Sequence, residues 1–315
     1  MIQAKVISVN PVEIFRPSQV ANTMPHDMKG LSWPATTSWT ALLYPGAVGW
    51  LHRAEPLPSV QVDALAQHRV LLTLTVPRME SMPFSSHADV RARCRYVSYV
   101  VREIDLYRPL LAGRVAGMHW VADLVRLLCP LELTKLMYSL NRKLGVSAEG
   151  PAARSVELGG PPPEDGVLPL LSGLGFTDLC FNFVDGEHWA HATLQQCISL
   201  AGSLGFERLH FRVESARDLD SLLRLCMPAS VFVESDLEAC RSLLGGFRET
   251  VPGFFVRSSG LPEVDALCGL GLGGISAAAE GFWQNTVRLD HYYEALDSGR
   301  LPLSGHGGKN LPIER

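Results

Sequence analysis

The chain has 315 residues, of which 47% are hydrophobic and 19% charged, with a mean hydropathy of +0.11, enough apolar material for one barrel-sized domain or two smaller ones. Lys and Arg number 28 against 32 Asp and Glu, and the net charge of −4 is dispersed, which excludes a basic nucleic-acid footprint and an acidic tail. Apolar stretches are broken by Gly, Pro or charge well short of a membrane span, and residues 1–20 lack a signal peptide's apolar core and cleavage site, so a soluble cytoplasmic protein is expected.

Residues 1–68 are rich in Pro, Trp and Ser with weak periodicity, and are read as an N-terminal extension packing on the domain that begins at residue 69. From there, short apolar strands alternate with amphipathic helices. RVLLTLTV (69–76) reads as a buried strand, and 88–106 repeats apolar residues at Val90, Cys94, Val97, Val101 and Ile104, a helical period. A strand comes next at 114–120. Pro130 opens a helix carrying Leu133, Leu136, Met137, Leu140 and Leu144, with Gly145 as its stop. Strands at 154–158, 178–184, 208–213 and 230–233 continue the series, with helices near 164–174, 188–204 and 216–226 between them. Ser235 and Glu238 read as a capping box for another helix. A last helix covers 288–298 and ends at Gly299. GGPPPEDG (159–166) has the composition of a linker, but its neighbours make it a strand-to-helix loop. The pattern is that of βα units around a parallel sheet, and six or so units suit a full or partial barrel: an α/β fold with the barrel over 69–307 and a tail at 308–315.

Alternation along a barrel strand sends one set of side chains to the helices and the other into the lumen. In 209–214 the apolar set is Leu209, Phe211 and Val213, which leaves His210, Arg212 and Glu214 facing inward. The same reasoning turns Glu157 inward with Ser155, and Cys180 with Asn182. Ionisable groups in a lumen need partners. Either Arg212 pairs internally with Glu214 or Glu157, or the lumen is a polar ligand pocket. The densest polar cluster, Asp185-Gly-Glu187-His188-Trp-Ala-His191, comes after a strand end. It reads either as an acid–base or metal-binding group or as ordinary helix-start surface. GLGLGG (269–274) lacks a GxGxxG register and a subsequent βαβ unit, so a Rossmann site is not expected. Seven cysteines lie at least fourteen positions apart, without any CxxC pair, and read as core filler with no metal site.

ALCGLGLGGISAAAEGFWQNTVRLDHYYEALDSGRLPLSGHG (266–307) closely resembles a segment of oxygen-independent coproporphyrinogen III oxidase and its radical SAM relatives, with a GLG-type loop, a QN step, a YY helix and an AGRLP-like ending. MHWVADLVRLLCPLELTKL (118–136) is similar to that family's MHWGGGTP strand-turn-helix, 157–185 to its next βα unit, and LSWPATTSW (31–39) to an early Tyr-Thr-Ser-Tyr-Pro-Thr segment. The resemblance covers most of 30–307 and implies a partial parallel (β/α) barrel of the radical SAM type, with its ligand inside the top.

The departures are as informative. Where the family carries CxxxCxxC, this chain has VPRMESMPFSS (76–86), so the cluster cysteines map to Met79, Pro83 and Ser86. Val121-Ala122-Asp123 replaces a glycine triplet, Val184 a glutamine, Arg212 a strand aspartate and Gly30 a tyrosine. The section before the GLG loop is shortened, FQGYTT survives only as FFVRSS (254–259), and the family's C-terminal domain has no counterpart up to Arg315. Glu157, Asp185 and the GLG loop persist, and the resemblance assigns Glu157 and the loop (Gly269, Gly271 and Gly273, with Ile275 behind it) to cofactor binding. No iron–sulfur cluster and no deoxyadenosyl radical are therefore expected, while SAM binding is left open.

Two functions from different classes fit these residues. One is a pseudoenzyme or accessory protein, a partner of an active radical SAM paralogue or of tetrapyrrole metabolism, with a pocket for a small anionic or zwitterionic ligand anchored by Arg212. The other is a non-radical enzyme acting on SAM or a small metabolite through Glu157, Asp185, His188, His191, His210 and Arg212. Neither involves nucleic acid or membrane.

Overall fold

The structure is a computed structural model that describes residues 62–76, 90–146, 153–160, 162–183, 189–233, 235–251, 253–257, 264–278 and 281–304. Most of the N-terminal extension, the 77–89 segment with Met79, Pro83 and Ser86, the 184–188 segment and the tail lie outside these residues.

Eleven strands form one sheet. In chain order they are β1 (Val70–Leu74), β2 (Val115–Trp120), β3 (Ala153–Gly159), β4 (Asp178–Phe183), β5 (Arg208–Val213), β6 (Ser230–Val233), β7 (Arg248–Val251), β8 (Phe254–Val256), β9 (Ala266–Leu270), β10 (Ile275–Ala278) and β11 (Gly281–Gln284). The spatial order is β11-β10-β9-β1-β2-β3-β4-β5-β6-β8-β7. From β9 through β1 to β6 every neighbouring pair is parallel, and antiparallel hairpins finish both ends. Because β11 and β7 are the two ends of that order, the sheet is a partial barrel.

The helices are α1 (Val90–Leu111), α2 (Ala122–Leu127), α3 (Pro130–Leu144), α4 (Val167–Gly173), α5 (His191–Ser203), α6 (Ala216–Leu223), α7 (Leu237–Leu243) and α8 (Leu289–Asp297). Residues expected to be the strand-to-helix loop join β3 to α4, so no domain boundary falls there. α3 begins with Pro130 at its first turn and Glu132 reaching back to the Cys129 N–H at 2.8 Å. It ends where Gly145 turns left-handed at φ 70°. α1 runs five residues beyond its expected end. Pro109 reads as a breaker in sequence, yet it sits in the last turn, and Tyr107 and Leu111 are fully buried. Before β1 a short 3-10 helix, Val62–Gln67, places Leu65 in the core.

The capping box expected at Ser235 and Glu238 does not form. Ser235 Oγ donates to the Glu214 carbonyl at 2.6 Å, α7 is capped by Asp236 in a left-handed conformation (φ 56°), and Glu238 pairs with Arg241. The serine hydroxyl closes the turn against the end of β5 and does not reach the helix. Strands β7 to β11 have no counterpart in the periodicity, since three to five residues with glycine carry little alternation.

The two sheet faces differ in chemistry. Val70, Leu72, Met118, Trp120, Val156, Phe181, Phe211 and Val231 face the helices and belong to one continuous apolar core. Their neighbours of opposite parity form the lumen face, where Phe232 and Phe254 make a separate apolar pair.

A buried carboxylate fixes the sheet to α1 and α8. Glu103, fully buried on α1, accepts from the Gly271 N–H at 2.8 Å, the Tyr292 hydroxyl at 2.6 Å and Asn285 Nδ2 at 2.6 Å. Burial pushes its carboxyl up to about 7, against the opposing pull of these three donors. Tyr96 adds a second clamp, donating to the Thr75 carbonyl at 3.0 Å and accepting from Leu272 N–H at 3.1 Å. The GLG loop is thereby tied to the end of β1. Gly271 has φ 89°, and a Cβ there would lie 2.2 Å from the Thr75 carbonyl oxygen and 2.7 Å from the Tyr96 hydroxyl.

Gly271→Ala should therefore destabilise the chain by about 1–3 kcal/mol from the left-handed backbone alone, with the steric clash adding to it. Urea unfolding of the two proteins measures this. Equal midpoints would show that the loop does not lie against β1 as described.

Candidate functional site

Strand register builds the lumen in rows. Thr73, His119, Ser155, Asp178 and Arg208 are successive partners from β1 to β5. Two residues further along, Glu157, Cys180, His210 and Ser230 form the next row, and Gly159, Asn182, Arg212 and Phe232 the one above. In parallel barrels the functional end is the C-terminal end of the strands, so the third row is the rim and the first is the floor.

The floor and middle rows are buried and polar. His119 Nδ1 lies 2.8 Å from Ser155 Oγ, and its Nε2 stands 3.9 Å from Glu157 Oε2. His210 repeats the motif, with Nδ1 2.7 Å from Ser230 Oγ and Nε2 4.0 Å from Asp178 Oδ1. Neither Nε2 has a hydrogen-bond partner among the described residues. Burial, helped by His210, pulls the His119 imidazole down to about 3, so it is neutral at ordinary pH. Asp178 is the charged member. Burial pushes its carboxyl up, but His210 and the Arg208 guanidinium, at 2.5 and 2.9 Å, hold it below the usual carboxylate range. Cys180 lies among these groups, and burial with the Asp178 and Glu157 charges pushes its thiol well up, leaving it unreactive.

At the rim, Asn182 Nδ2 donates to Glu157 Oε1 at 2.7 Å, and Arg212 places its guanidinium 5.8 Å from the centre of the Phe232 ring. Asn182 is half-buried, whereas Arg212 is only 9% exposed. Gly160, just past β3, accepts from Trp189 Nε1 at 2.7 Å and is overlain by the Arg126 guanidinium.

The structure brings together Glu157, His210 and Arg212, and leaves other expected residues elsewhere. Glu214 is exposed beyond the end of β5, where the strand has given way to the turn into α6, so it does not point into the barrel as expected. His191 is exposed at the start of α5 and lines a cleft of about 240 Å³ with Phe183, Trp189, Val213 and Asp218, on the helix side of the sheet. Asp185 and His188 lie outside the described residues. Gly269, Gly271 and Gly273 form the β9–β10 turn with Ile275. A Cβ at Gly269 would meet the Ile275 nitrogen at 2.4 Å, so the close approach of the chain to itself accounts for two of the three glycines. Val121, first of the residues in place of the glycine triplet, is buried in the apolar core at the start of α2.

His119, Asp178, Arg208 and Ser230 were missed in the sequence, whereas Ser155 was expected to face inward. Parity would have found them, because His119 alternates with Met118 and Trp120, and Asp178 and Arg208 share the phase of Cys180 and His210.

No protein-family profile and no curated protein matches the chain. Among solved structures it is similar to coproporphyrinogen III oxidase from Escherichia coli, described as a radical SAM enzyme, with 17% identity and a TM-score of 0.63 over 87% of this chain and 80% of that one. N-acetylneuraminate lyase from Mycoplasma synoviae is a more distant likeness, at 12% identity and a TM-score of 0.34 over 47% of this chain and 52% of that one. The first likeness shows the fold: the mostly parallel sheet is the partial barrel of the radical SAM type. No helix among the described residues is long and apolar enough to cross a membrane.

The neutral floor has a pH signature. An unfolded histidine takes up a proton near pH 6.5, whereas folded His119 refuses it until about 3. The stability it contributes is therefore complete above 6.5 and is lost as pH falls toward 3, by up to about 1.4 kcal/mol per pH unit. His119→Gln should flatten the acid limb of the stability curve measured by urea unfolding between pH 7 and pH 4. Parallel curves for the two proteins would contradict a neutral buried imidazole.

Proposed function

We propose that this chain is a cluster-free relative of the coproporphyrinogen oxidase-like radical SAM proteins that binds a small anionic or zwitterionic ligand at the rim of its lumen. The single observation that carries this is the third lumen row, where Arg212, at a position to which the resemblance assigns an aspartate, is the register partner of Asn182. A guanidinium offers a planar fork of donors suited to a carboxylate or phosphate.

The residues present do not fit a four-iron cluster. Such a cluster needs thiolates converging on one point. Here Cys94 is exposed on α1, Cys129 caps α3, Cys180 is in the lumen, and Cys197, Cys226, Cys240 and Cys268 are spread over α5, the end of α6, α7 and β9. The segment that aligns with the family's cluster loop, 76–86, contains no cysteine. SAM is one candidate ligand, with the GLG loop as the part of its site that persists in sequence.

On this reading the protein is a cytoplasmic pseudoenzyme or accessory protein, serving an active radical SAM paralogue or tetrapyrrole metabolism. A second reading, a non-radical enzyme, is favoured by one observation: the row beneath Arg212 holds acid–base groups, Glu157 and His210, which a purely structural remnant has no reason to keep buried.

Screening the purified chain by calorimetry against SAM, its analogues and porphyrins tests the ligand site. Arg212→Ala should weaken the ligand found by tenfold or more and leave the unfolding midpoint nearly unchanged. If Arg212 is instead structural, the same change should cost about 3–5 kcal/mol by stranding a buried carboxylate, with affinity unaltered, and that result would sink the anchor role.

A further inference from the structure

The buried carboxyl of α1 carries an inference that does not rest on the ligand reading. We propose that Glu103, Asn285 and the GLG loop form a proton-operated latch: ionised Glu103 holds the Gly271 peptide against the end of β1, and uptake of a proton by Glu103 loosens it. The loop follows β9 at the C-terminal end of the parallel strands, so the latch sets how firmly that side of the rim is held.

The geometry is that of the ionised state. A carboxylate only accepts, and all three groups that reach Glu103 donate to it. Asn285 Nδ2 lies 2.6 Å from Glu103 Oε1, 2.8 Å from the Gly271 carbonyl and 3.4 Å from the Gly269 carbonyl, and three acceptors around one end of the amide identify that end as the NH2. Glu103 therefore holds Gly271 twice, its N–H directly and its carbonyl through Asn285. At the other end of the amide, Asn285 Oδ1 is buried and has no hydrogen-bond partner among the described residues. Such an orphan acceptor needs a reason.

A proton on Glu103 supplies one. Oε2 already takes the Gly271 N–H and the Tyr292 hydroxyl, so the proton goes to Oε1, where it meets the Asn285 NH2 donor against donor. The Asn285 backbone is fixed, with its N–H on the Gly274 carbonyl at 2.8 Å and a bridge to Leu303. Its amide can turn over, and Oδ1 then accepts from the new O–H. The same turn sets Oδ1 against the Gly271 carbonyl and takes the NH2 away from it. The Gly271 N–H meanwhile exchanges a charged acceptor for a neutral one, about half as strong. Both holds on Gly271 weaken together.

The other titratable groups around Glu103 stay neutral. Tyr96 and Tyr107 from α1, Tyr292 from α8 and the Cys268 thiol from β9 are each pushed up by burial and by the Glu103 charge. Glu103 itself, pushed by burial from 4.5 up to about 7, changes charge near neutrality. Since its folded value is the higher one, its contribution to stability is complete below 4.5 and is lost as pH rises through 7. Loosening of the loop on going from pH 8 to pH 6 is therefore local and is not acid unfolding.

Two measurements on the full chain test the latch. A protonated-carboxyl infrared band should grow between pH 8 and pH 6, half-formed near 7, and be missing in Glu103→Gln. Over the same range the hydrogen-exchange protection factor of the Gly271 amide should fall about tenfold or more, while that of Phe181 in β4 holds steady. Glu103→Gln, whose amide has the hydrogen-bond pattern of the neutral acid, should show the low protection at both pH values. Should that variant not fold, Tyr292→Phe, which takes one donor from the carboxylate, should move both midpoints to higher pH. A carboxyl region that does not change between pH 8 and pH 6, or a Gly271 protection factor equal at the two, would overturn the proposal.

Discussion

Glu103 carries a charge-bearing group into the wall of the barrel, and its three donors come from three separate places in the chain: the GLG loop, the end of β11 and α8. All three donors are neutral, so the carboxyl is satisfied by hydrogen bonds and not by a salt bridge to any of them. That arrangement makes geometry strict. α1 must lie where its glutamate can reach the loop, and the loop must lie flat against the end of β1, where only glycine fits. Tyr292, which reaches Glu103, is also 6.0 Å from the Tyr96 ring, so the clamp on Leu272 and the clamp on Gly271 share one packed unit. The seam between β9 and β1, where the chain's last parallel strand joins its first, is held by these contacts.

Across the barrel the constraint is of another kind. The helix-facing side of the sheet is mostly apolar, with Arg154 and Ser276 as buried exceptions, but between β2 and β6 the lumen side is stocked with histidine, serine, carboxylate, amide and arginine. Each buried imidazole is paired to a serine one strand away, and each has a carboxylate near its free edge. Desolvating so many polar groups costs stability that an apolar filling would not. The two couples also differ in charge: Arg208 makes the Asp178 couple ionic, whereas burial, with His210, keeps the His119 imidazole neutral. The lumen therefore grades from a fully buried floor to a rim where Arg212 is 9% exposed and Asn182 half-buried.

The phase of the strands could be read directly from the sequence, because a sequence such as Leu209-His210-Phe211-Arg212-Val213 can bury its apolar set in only one way. That placed His210, Arg212 and Glu157 on the lumen side. Phase says nothing of where a strand stops, so Glu214, one residue past β5, was assigned to the barrel and is exposed. It also says nothing of competition for a hydroxyl, which is why Ser235 caps the turn instead of α7. Glu103 was invisible for a different reason. Within an amphipathic helix a glutamate is expected on the wet face, and only tertiary contact with a glycine loop some 170 residues away explains its burial. His191 was grouped with the lumen residues by closeness in sequence, although α5 carries it to the helix side.

The reading of this barrel as cluster-free turns on where its cysteines lie. Seven thiols are present but scattered, with Cys180 the one that lies among the lumen's carboxylate, imidazole, amide and hydroxyl groups. The most direct measurement is iron and sulfide content after anaerobic reconstitution of the full chain, read together with its visible absorption. The account predicts no bound iron beyond background and no cluster absorption. Iron approaching four atoms per chain, the stoichiometry of a four-iron cluster, with the matching visible bands would contradict it.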